Sequence, residues 1–159
     1  MYIDRAGGRV FYVPLPGQDM AKATAVVAVE EALVVHNGTA RHAWHGVTFE
    51  YATWLRPMQG EGFAEQQSAA CNVCPRGASQ GVPPFAPGCG EGDDYVMTPA
   101  NVAVFGGDDI KFDSCTFQHL GAYGSSASKG ASRVSWENCT FRDLSGGAIT
   151  LGGLDTCGT

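Results

Sequence analysis

Short segments in which apolar and polar residues alternate recur along the chain, and one of them occurs three times. The copies cover residues 42–52, 110–120 and 134–144. Each copy has an aromatic residue, a polar residue, a small residue or Asn, and then Val or Cys, Thr and Phe. Alternation with a period of two on both sides of a turn-forming residue is typical of strands. Each copy therefore predicts two short strands joined by a tight turn.

The spacing of the three copies predicts how they are arranged. The second and third copies begin at residues 110 and 134, a separation that suits one coil of a β-solenoid. The first copy begins at residue 42, and an insertion rich in Gly, Pro and Gln explains its greater distance from the second. We expect an all-β chain: a right-handed parallel β-helix of about three coils over residues 33–159, with one long inserted loop at 55–98.

Stacked coils would place equivalent residues above one another, about 4.8 Å apart. The alternation predicts that the aromatic, Val, Cys and Phe positions point inward, that Thr points outward, and that the small residue forms the turn. The inward residues are Trp44, Phe112 and Trp136 with Val47, Phe49, Cys115, Phe117, Cys139 and Phe141; the outward ones are Thr48, Thr116 and Thr140; the turn residues are Gly46, Ser114 and Asn138.

The third strand of each coil is less regular in sequence. Apolar runs at residues 33–35, 102–105 and 148–151 are the candidates. Residues 122–126 are Ala-Tyr-Gly-Ser-Ser, which is poor strand material. We expect a weaker coil wall there, or one that loops outward.

Residues 1–32 are predicted to form an N-terminal hairpin and a lead-in segment. Residues 2–14 alternate around Gly7 and Gly8, as expected of a β-hairpin. Residues 21–33 combine Ala and Glu, which favour helix, with a run of Val that favours strand. We expect a strand with a short helical turn.

Composition and charge narrow the class of function. The chain has 22 Gly, and 16% of its residues are charged, which fits a turn-rich β protein. Its net charge is −6 and its basic residues are scattered, so it is not expected to bind nucleic acid through the phosphates. No apolar run approaches the roughly 18 residues of a membrane span, and no motif predicts a cofactor or a metal site.

Both ends of the chain look interrupted. It opens in an apparent strand without the basic and apolar regions of a signal peptide, and it stops just after a run that reads as strand and turn. We therefore expect a fragment of a longer β-helix, with the remainder of that chain as its partner and no activity of its own.

Three stretches carry a resemblance to a known family: residues 2–5 with 10–14, residues 46–54, and residues 115–121 with 146–149. They resemble the pectin-lyase-like right-handed parallel β-helix proteins, particularly glycoside-hydrolase-like ones. The resemblance implies a carbohydrate-active protein, extracellular or at the cell surface, whose partner is a polysaccharide or oligosaccharide. β-helices host many activities, so the fold does not fix the function.

Two stacked pairs of ionisable residues are the catalytic candidates. Glycosidic hydrolysis needs two carboxyl groups about 5 to 9.5 Å apart. Asp113 and Glu137 hold equivalent outward positions on adjacent coils and meet the lower distance. His119 and Asp143 form the second pair, with Tyr51 at the same place in the first coil, and a His beside an Asp can act as acid or base near neutral pH. Solvated turn residues and surface ion pairs are the alternatives.

Five residues are candidates for substrate binding. Arg142 could hold a uronate carboxylate, and Trp54 or Tyr95 could stack on a sugar face. Glu65 and Gln66 could bond sugar hydroxyls, which makes the inserted loop a predicted substrate-facing lid. An isolated surface Arg and a mobile loop are the alternatives.

The cysteines fall into two groups. Cys71, Cys74 and Cys89 lie in the inserted loop, where a disulfide is favoured over a zinc site because only three ligands are present without a nearby His. Cys115 and Cys139 are predicted to form a buried stack of free thiols.

The sequence favours a carbohydrate-active β-helix that hydrolyses a polysaccharide or glycoside. A lyase is less favoured, because it would need a Ca²⁺ site built from several clustered Asp residues. The alternative, from a different class, is a non-catalytic β-helix that serves as a scaffold or in surface adhesion.

Overall fold

The computed structural model describes residues 2–4, 6–55, 71–73 and 95–152, with the backbone alone at 71–73 and 95–97. These ranges contain fourteen strands and no helix, so the predicted all-β class is confirmed for them. The strands are β1 (Tyr2–Asp4), β2 (Arg9–Phe11), β3 (Val34–Asn37), β4 (Ala40–His45), β5 (Thr48–Ala52), β6 (Cys71–Val73), β7 (Tyr95–Met97), β8 (Ala100–Phe105), β9 (Asp108–Asp113), β10 (Thr116–Leu120), β11 (Tyr123–Ser128), β12 (Ser132–Glu137), β13 (Thr140–Leu144) and β14 (Ile149–Leu151). A helix of the length and apolarity needed to cross a membrane is accordingly absent from the described ranges.

Ten of the strands form three parallel sheets. Sheet I contains β4, β9 and β12; sheet II contains β5, β10 and β13; sheet III contains β3, β8, β11 and β14. The chain passes through sheets III, I and II in that order, so β3 to β5 form a first coil, β8 to β10 a second and β11 to β13 a third. Stacked parallel sheets of this kind are compatible with the predicted β-helix.

The strand register aligns the three copies of the repeated segment. Phe117 lies between Phe49 and Phe141, with ring centroids 5.0 and 4.6 Å away. The matching aromatic column of sheet I contains Trp44, Phe112 and Trp136. Because the second coil has neighbours on both sides, its inward residues are fully buried: Val102, Val104, Ile110, Phe112 and Phe117. The predicted inward columns are confirmed.

Left-handed backbone recurs at the same places in each coil. The predicted turn residues Gly46, Ser114 and Asn138 have φ angles of 64°, 55° and 54°. Two further columns were not predicted. They are Arg41, Asp109 and Arg133, with φ of 55°, 55° and 51°, and Tyr51, His119 and Asp143, with φ of 60°, 53° and 52°. Residues other than Gly seldom adopt this conformation, so the bends are a specific feature of this coil.

Strand β11 shows that the weak wall expected at residues 122–126 is wrong. The strand pairs in parallel with β8 and β14, and five of its six residues are buried. A Cβ atom at Gly124 would lie 2.8 Å from the Ala148 carbonyl oxygen and 3.0 Å from Cδ1 of Phe141. The absence of a side chain at Gly124 leaves room for these neighbours, and close packing overrides the low strand propensity.

The N-terminal segment matches the expectations only in part. β1 and β2 form the predicted antiparallel hairpin. The strand expected within residues 21–33 is wrong, because this stretch contains a turn at its start and bends at 31 and 33 but no strand. Val27 and Val29 are each 72% exposed, so their side chains do not pack against a surface that would stabilise a strand.

The insertion adds no strand to sheets I, II or III within the described residues. β10 pairs directly with β5, and Thr116 lies opposite Thr48, so the first and second copies sit on adjacent coils despite the chain inserted between them. β6 and β7, which belong to residues 55–98, pair with each other in antiparallel fashion. The predicted loop therefore contains some regular structure.

A buried asparagine connects three backbone segments where the chain passes from sheet II to sheet III. Asn101 is 0% exposed. Its Nδ2 donates to the carbonyl oxygens of Glu31 and Thr53 at 2.7 and 3.0 Å, and its Oδ1 accepts from the Ala122 amide at 3.2 Å. One side chain thus joins the lead-in segment, the end of the first coil and the start of the third. Asn101 lies outside the repeated segment, so the repeat gives no signal for its role.

Ser125 carries a buried hydroxyl that has no hydrogen-bond partner in the described part of the chain. It lies in sheet III between Val102 and Ile149. Because an unpaired buried hydroxyl costs free energy, we expect Ser125→Ala to raise the free energy of unfolding, measured in urea, by about 1 kcal/mol.

The matched control for Ser125→Ala is Ser132→Ala. The Ser132 hydroxyl is exposed and donates to Asp108 Oδ1 at 2.6 Å, so its removal is expected to leave stability unchanged or slightly lower. A Ser125→Ala protein that unfolds more readily than wild type would contradict the assignment of an unpaired hydroxyl.

Candidate functional site

The outer face of sheet II is the candidate site. Along its three strands, half-buried or exposed residues alternate with more buried ones, so polar side chains face solvent. Sheet III differs, because β8 and β11 are buried on both faces. Several of the residues predicted for function meet on sheet II.

A column of three polar side chains crosses this face. Gln118 donates through Nε2 to Glu50 Oε2, and Arg142 Nε donates to Gln118 Oε1 at 2.7 Å. A carboxylate only accepts and a guanidinium only donates, so the two neighbours fix the orientation of the Gln118 amide. The column ends in an acceptor on the first coil and a donor on the third.

A second column runs beside the first, at the left-handed bend of each strand. His119 Nδ1 lies 2.6 Å from Asp143 Oδ2, and the predicted contact between these two residues is present. The Tyr51 ring stacks on the His119 ring with centroids 5.2 Å apart and planes 9° apart. The contact between His119 and Asp143 and the stacked Tyr51 ring make this column a candidate for binding or proton transfer. The catalytic roles of His119 and Asp143 stay predictions.

Asp113 is surrounded by hydrogen-bond donors. The Ser114 hydroxyl donates to its Oδ1 at 2.9 Å, Asn138 Nδ2 lies 3.4 Å from the same oxygen, and His45 Nδ1 lies 2.9 Å from Oδ2. These hydrogen bonds, from Ser114 first and then from Asn138 and His45, hold the pKa of the Asp113 carboxyl below its ordinary value of 3.8. An ionised carboxyl can act as base, nucleophile or binding group. It does not suit the proton donor that hydrolysis also needs.

Glu137 pairs with Asp113 across β9 and β12, as the stacking of the copies predicts. His45 holds the same position on the first coil. The predicted pair of carboxyl groups is therefore a column of three ionisable residues. The aligned copies contained this signal, since His45 occupies the place of Asp113 in the first of them. The catalytic roles of Asp113 and Glu137 stay predictions.

The predicted substrate-binding residues are dispersed. Arg142 lies in the polar column on sheet II, whereas Trp54 is 8% exposed and offers little ring surface to a ligand. Tyr95 begins β7, but its side chain is outside the described atoms. Glu65 and Gln66 lie outside the described residues. The predicted disulfide among Cys71, Cys74 and Cys89 is also not described, because Cys74 and Cys89 lie outside those residues and Cys71 is described by its backbone alone.

Cys115 and Cys139 are free thiols, as predicted, with Cys115 buried and Cys139 half-buried. Burial raises the pKa of the Cys139 thiol above its ordinary value of 9.0. A thiol that stays protonated is a poor nucleophile, so Cys139 does not suit nucleophilic chemistry. Both cysteines pack in the hydrophobic core.

Sheet I carries a shallow depression that the sequence analysis missed. Its volume is about 230 Å³, and its lining contains Arg41, His42, Ala43, Asp109 and Lys111. The Lys111 ammonium lies 3.8 Å from Asp109 Oδ1. Nowhere in the described ranges do three or more His, Cys, Asp or Glu side chains converge as a metal site would require.

Comparison of the chain with protein-family models, with curated proteins and with solved structures found no match in any of the three.

Proposed function

We propose that this chain is a section of a right-handed parallel β-helix, similar to the pectin-lyase-like proteins, that binds a polysaccharide or oligosaccharide on the outer face of sheet II. The observation that carries the proposal is the column of Glu50, Gln118 and Arg142 beside the stacked rings of Tyr51 and His119. A polysaccharide ligand is consistent with an extracellular or cell-surface protein.

The chemistry of this face suits a sugar chain. Glu50 can accept from sugar hydroxyls and Arg142 can donate to them, while Gln118 can do both. Equivalent residues recur on successive strands at about 4.8 Å, so a ligand that lies across the strands meets polar groups on every coil. The ring of Tyr51 is 41% exposed and supplies an apolar surface at the edge of the polar column.

Hydrolysis of the bound glycoside is the second candidate function, and the hydrogen bond between His119 and Asp143 favours it. In this proposal His119 donates a proton to the glycosidic oxygen as the glycosidic bond breaks. Asp143 orients the His119 ring. Asp113, which is held ionised, and Glu137 are the alternative pair for the same reaction.

Binding is tested on a panel of soluble polysaccharides by affinity electrophoresis and calorimetry with the 159-residue chain. We expect at least one polysaccharide to bind, and Gln118→Ala and Arg142→Ala each to weaken its binding about tenfold, because each removes hydrogen bonds to the ligand. Lys111→Ala, on the outer face of sheet I, is the matched control and should bind as wild type. An equal loss of affinity in all three variants would show that the polar column of sheet II is not the specific binding site.

Hydrolysis is tested by the release of reducing ends from the polysaccharides that bind. His119→Ala and Asp143→Asn should lower the rate about a hundredfold or more if the pair transfers the proton, with binding retained. Loss of turnover in Asp113→Asn and Glu137→Gln alone would assign the reaction to the other pair. If the chain neither binds nor cleaves any polysaccharide of the panel, the result favours the alternative function, a non-catalytic scaffold or adhesion protein.

A further inference from the structure

The first coil contains a buried histidine that is engaged at both ring nitrogens. His36, in β3, is 5% exposed. Its Nε2 lies 2.9 Å from Trp44 Nε1, and its Nδ1 lies 2.8 Å from Thr39 Oγ1. The three residues belong to one strand–turn–strand segment, in which His36 precedes the turn and Trp44 follows it.

The indole partner determines where the imidazole carries its proton. An indole N–H can only donate, so His36 Nε2 must accept and must be unprotonated. The proton of the neutral ring is then on Nδ1, which donates to the Thr39 hydroxyl. A second proton on Nε2 would point at the Trp44 N–H, and two donors cannot share this hydrogen bond.

The surroundings of His36 oppose a positive charge. The ring centroid of Phe112, in the second coil, lies 6.3 Å from that of His36. His36 is paired with Val104 of β8. The titratable group that faces the ring is His42 of β4, with ring centroids 5.1 Å apart. Burial, and then the charge of His42, lower the pKa of His36 below its ordinary value of 6.5.

Trp44 connects this histidine to the aromatic core. Its ring packs edge-on against Phe49 at 5.5 Å, and Phe49 stacks on Phe117 of the second coil. Within the described residues, β3, β4 and β5 each lie at the edge of their sheet, so the first coil has a neighbouring coil on one side. Loss of the indole hydrogen bond therefore loosens a segment that packs against a neighbouring coil on one side only within the described residues.

We propose that His36 is an acid-sensitive switch that holds the first coil closed while its ring is neutral and releases Trp44 when the ring takes a proton from solvent. The proton binds Nε2, the hydrogen bond from Trp44 Nε1 is lost, and the indole turns toward solvent. The bond from Nδ1 to Thr39 is unaffected by this step, because Nδ1 is a donor in both protonation states.

The pH range of the switch follows from the sign of the shift. Above pH 6.5 His36 is neutral in the closed and the open forms, and the closed form has its full stability. Below that value the His36 ring of the open form, which has an ordinary pKa, takes up a proton, whereas the ring of the closed form stays neutral. The open population then rises about tenfold for each pH unit, until the pH reaches the lower pKa of the closed form.

The switch is tested by hydrogen exchange and by acrylamide quenching of tryptophan emission, with the 159-residue chain between about pH 7.5 and about pH 5. We expect acid to lower the protection factors of the β3 and β4 amides, which are exchange rates corrected for the pH dependence of intrinsic exchange, and to increase quenching. His36→Gln, whose amide oxygen can still accept from Trp44 but does not titrate, should abolish both changes. In the control His42→Gln the changes should remain but be smaller and should level off at a higher pH, because one charge that opposes protonation of the closed form is gone.

Nitrogen NMR of wild-type His36 provides a measurement that needs no variant. It should show the proton on Nδ1 at neutral pH and a titration below pH 6.5. An imidazole with its proton on Nε2 at neutral pH, an unchanged acid response in His36→Gln, or no acid response in wild type would each overturn the proposal.

Discussion

Replacement of Asn101 by Ala is expected to lower the free energy of unfolding by about 3 to 5 kcal/mol. The side chain is fully buried and makes three hydrogen bonds with backbone groups. Its removal leaves the carbonyl oxygens of Glu31 and Thr53 and the amide of Ala122 without this partner. Urea denaturation followed by circular dichroism measures the change.

Two variants separate this role from a general effect of removing an amide. Asn37→Ala, at an exposed position of β3, should change stability by less than about 0.5 kcal/mol. Asn101→Asp keeps the shape of the side chain and the oxygen that accepts from the Ala122 amide. It places its second oxygen against the carbonyl oxygens of Glu31 and Thr53. This variant should therefore be nearly as unstable as Asn101→Ala at neutral pH. A mild effect of Asn101→Ala, near that of Asn37→Ala, would show that these backbone segments are held by other contacts.

Phe117→Ala is expected to cost about 3 to 5 kcal/mol of unfolding free energy. The ring is 0% exposed and lies between Phe49 and Phe141 in the column that joins all three coils. Its loss removes contacts with both neighbours and leaves a cavity that they cannot fill. The midpoint and slope of urea unfolding report the loss.

Phe117→Leu keeps most of the volume and should cost much less than Phe117→Ala. Phe11→Ala, in the exposed hairpin, is the control for loss of a phenyl group and should change stability by less than about 0.5 kcal/mol. If Phe11→Ala and Phe117→Ala were equally mild, the aromatic column would not be the core of the molecule.

The repeated segment made the parallel sheets predictable, because period-two alternation and the position of a small residue are local properties of the sequence. Ser114 and Asn138 adopt the predicted turn, and Phe112 points inward. β11 was not predictable in this way. Its Gly124 is favourable only because Phe141 of the same coil and Ala148, which precedes β14, approach it, and these contacts are not encoded in the segment itself.

The candidate site was predictable where it repeats with the coil. His119 and Asp143 hold equivalent places in two copies, so their contact followed from the alignment. Asn101 and His36 have no counterpart in the repeat, and their partners come from a carbonyl, an amide or an indole brought close by the fold. The left-handed bends at His119 and Asp143 also gave no signal, since neither residue type requires them.

The insertion between the first and second coils sets the order in which the sheets can assemble. Thr116 of β10 pairs with Thr140 of β13, which follows it by a single coil of chain, and with Thr48 of β5, from which the whole insertion separates it. Closing the longer loop costs about 1 kcal/mol more in chain entropy. We therefore expect the second and third coils to pair first during folding. The first coil, which carries His36, is expected to join them last and to separate from them first during unfolding.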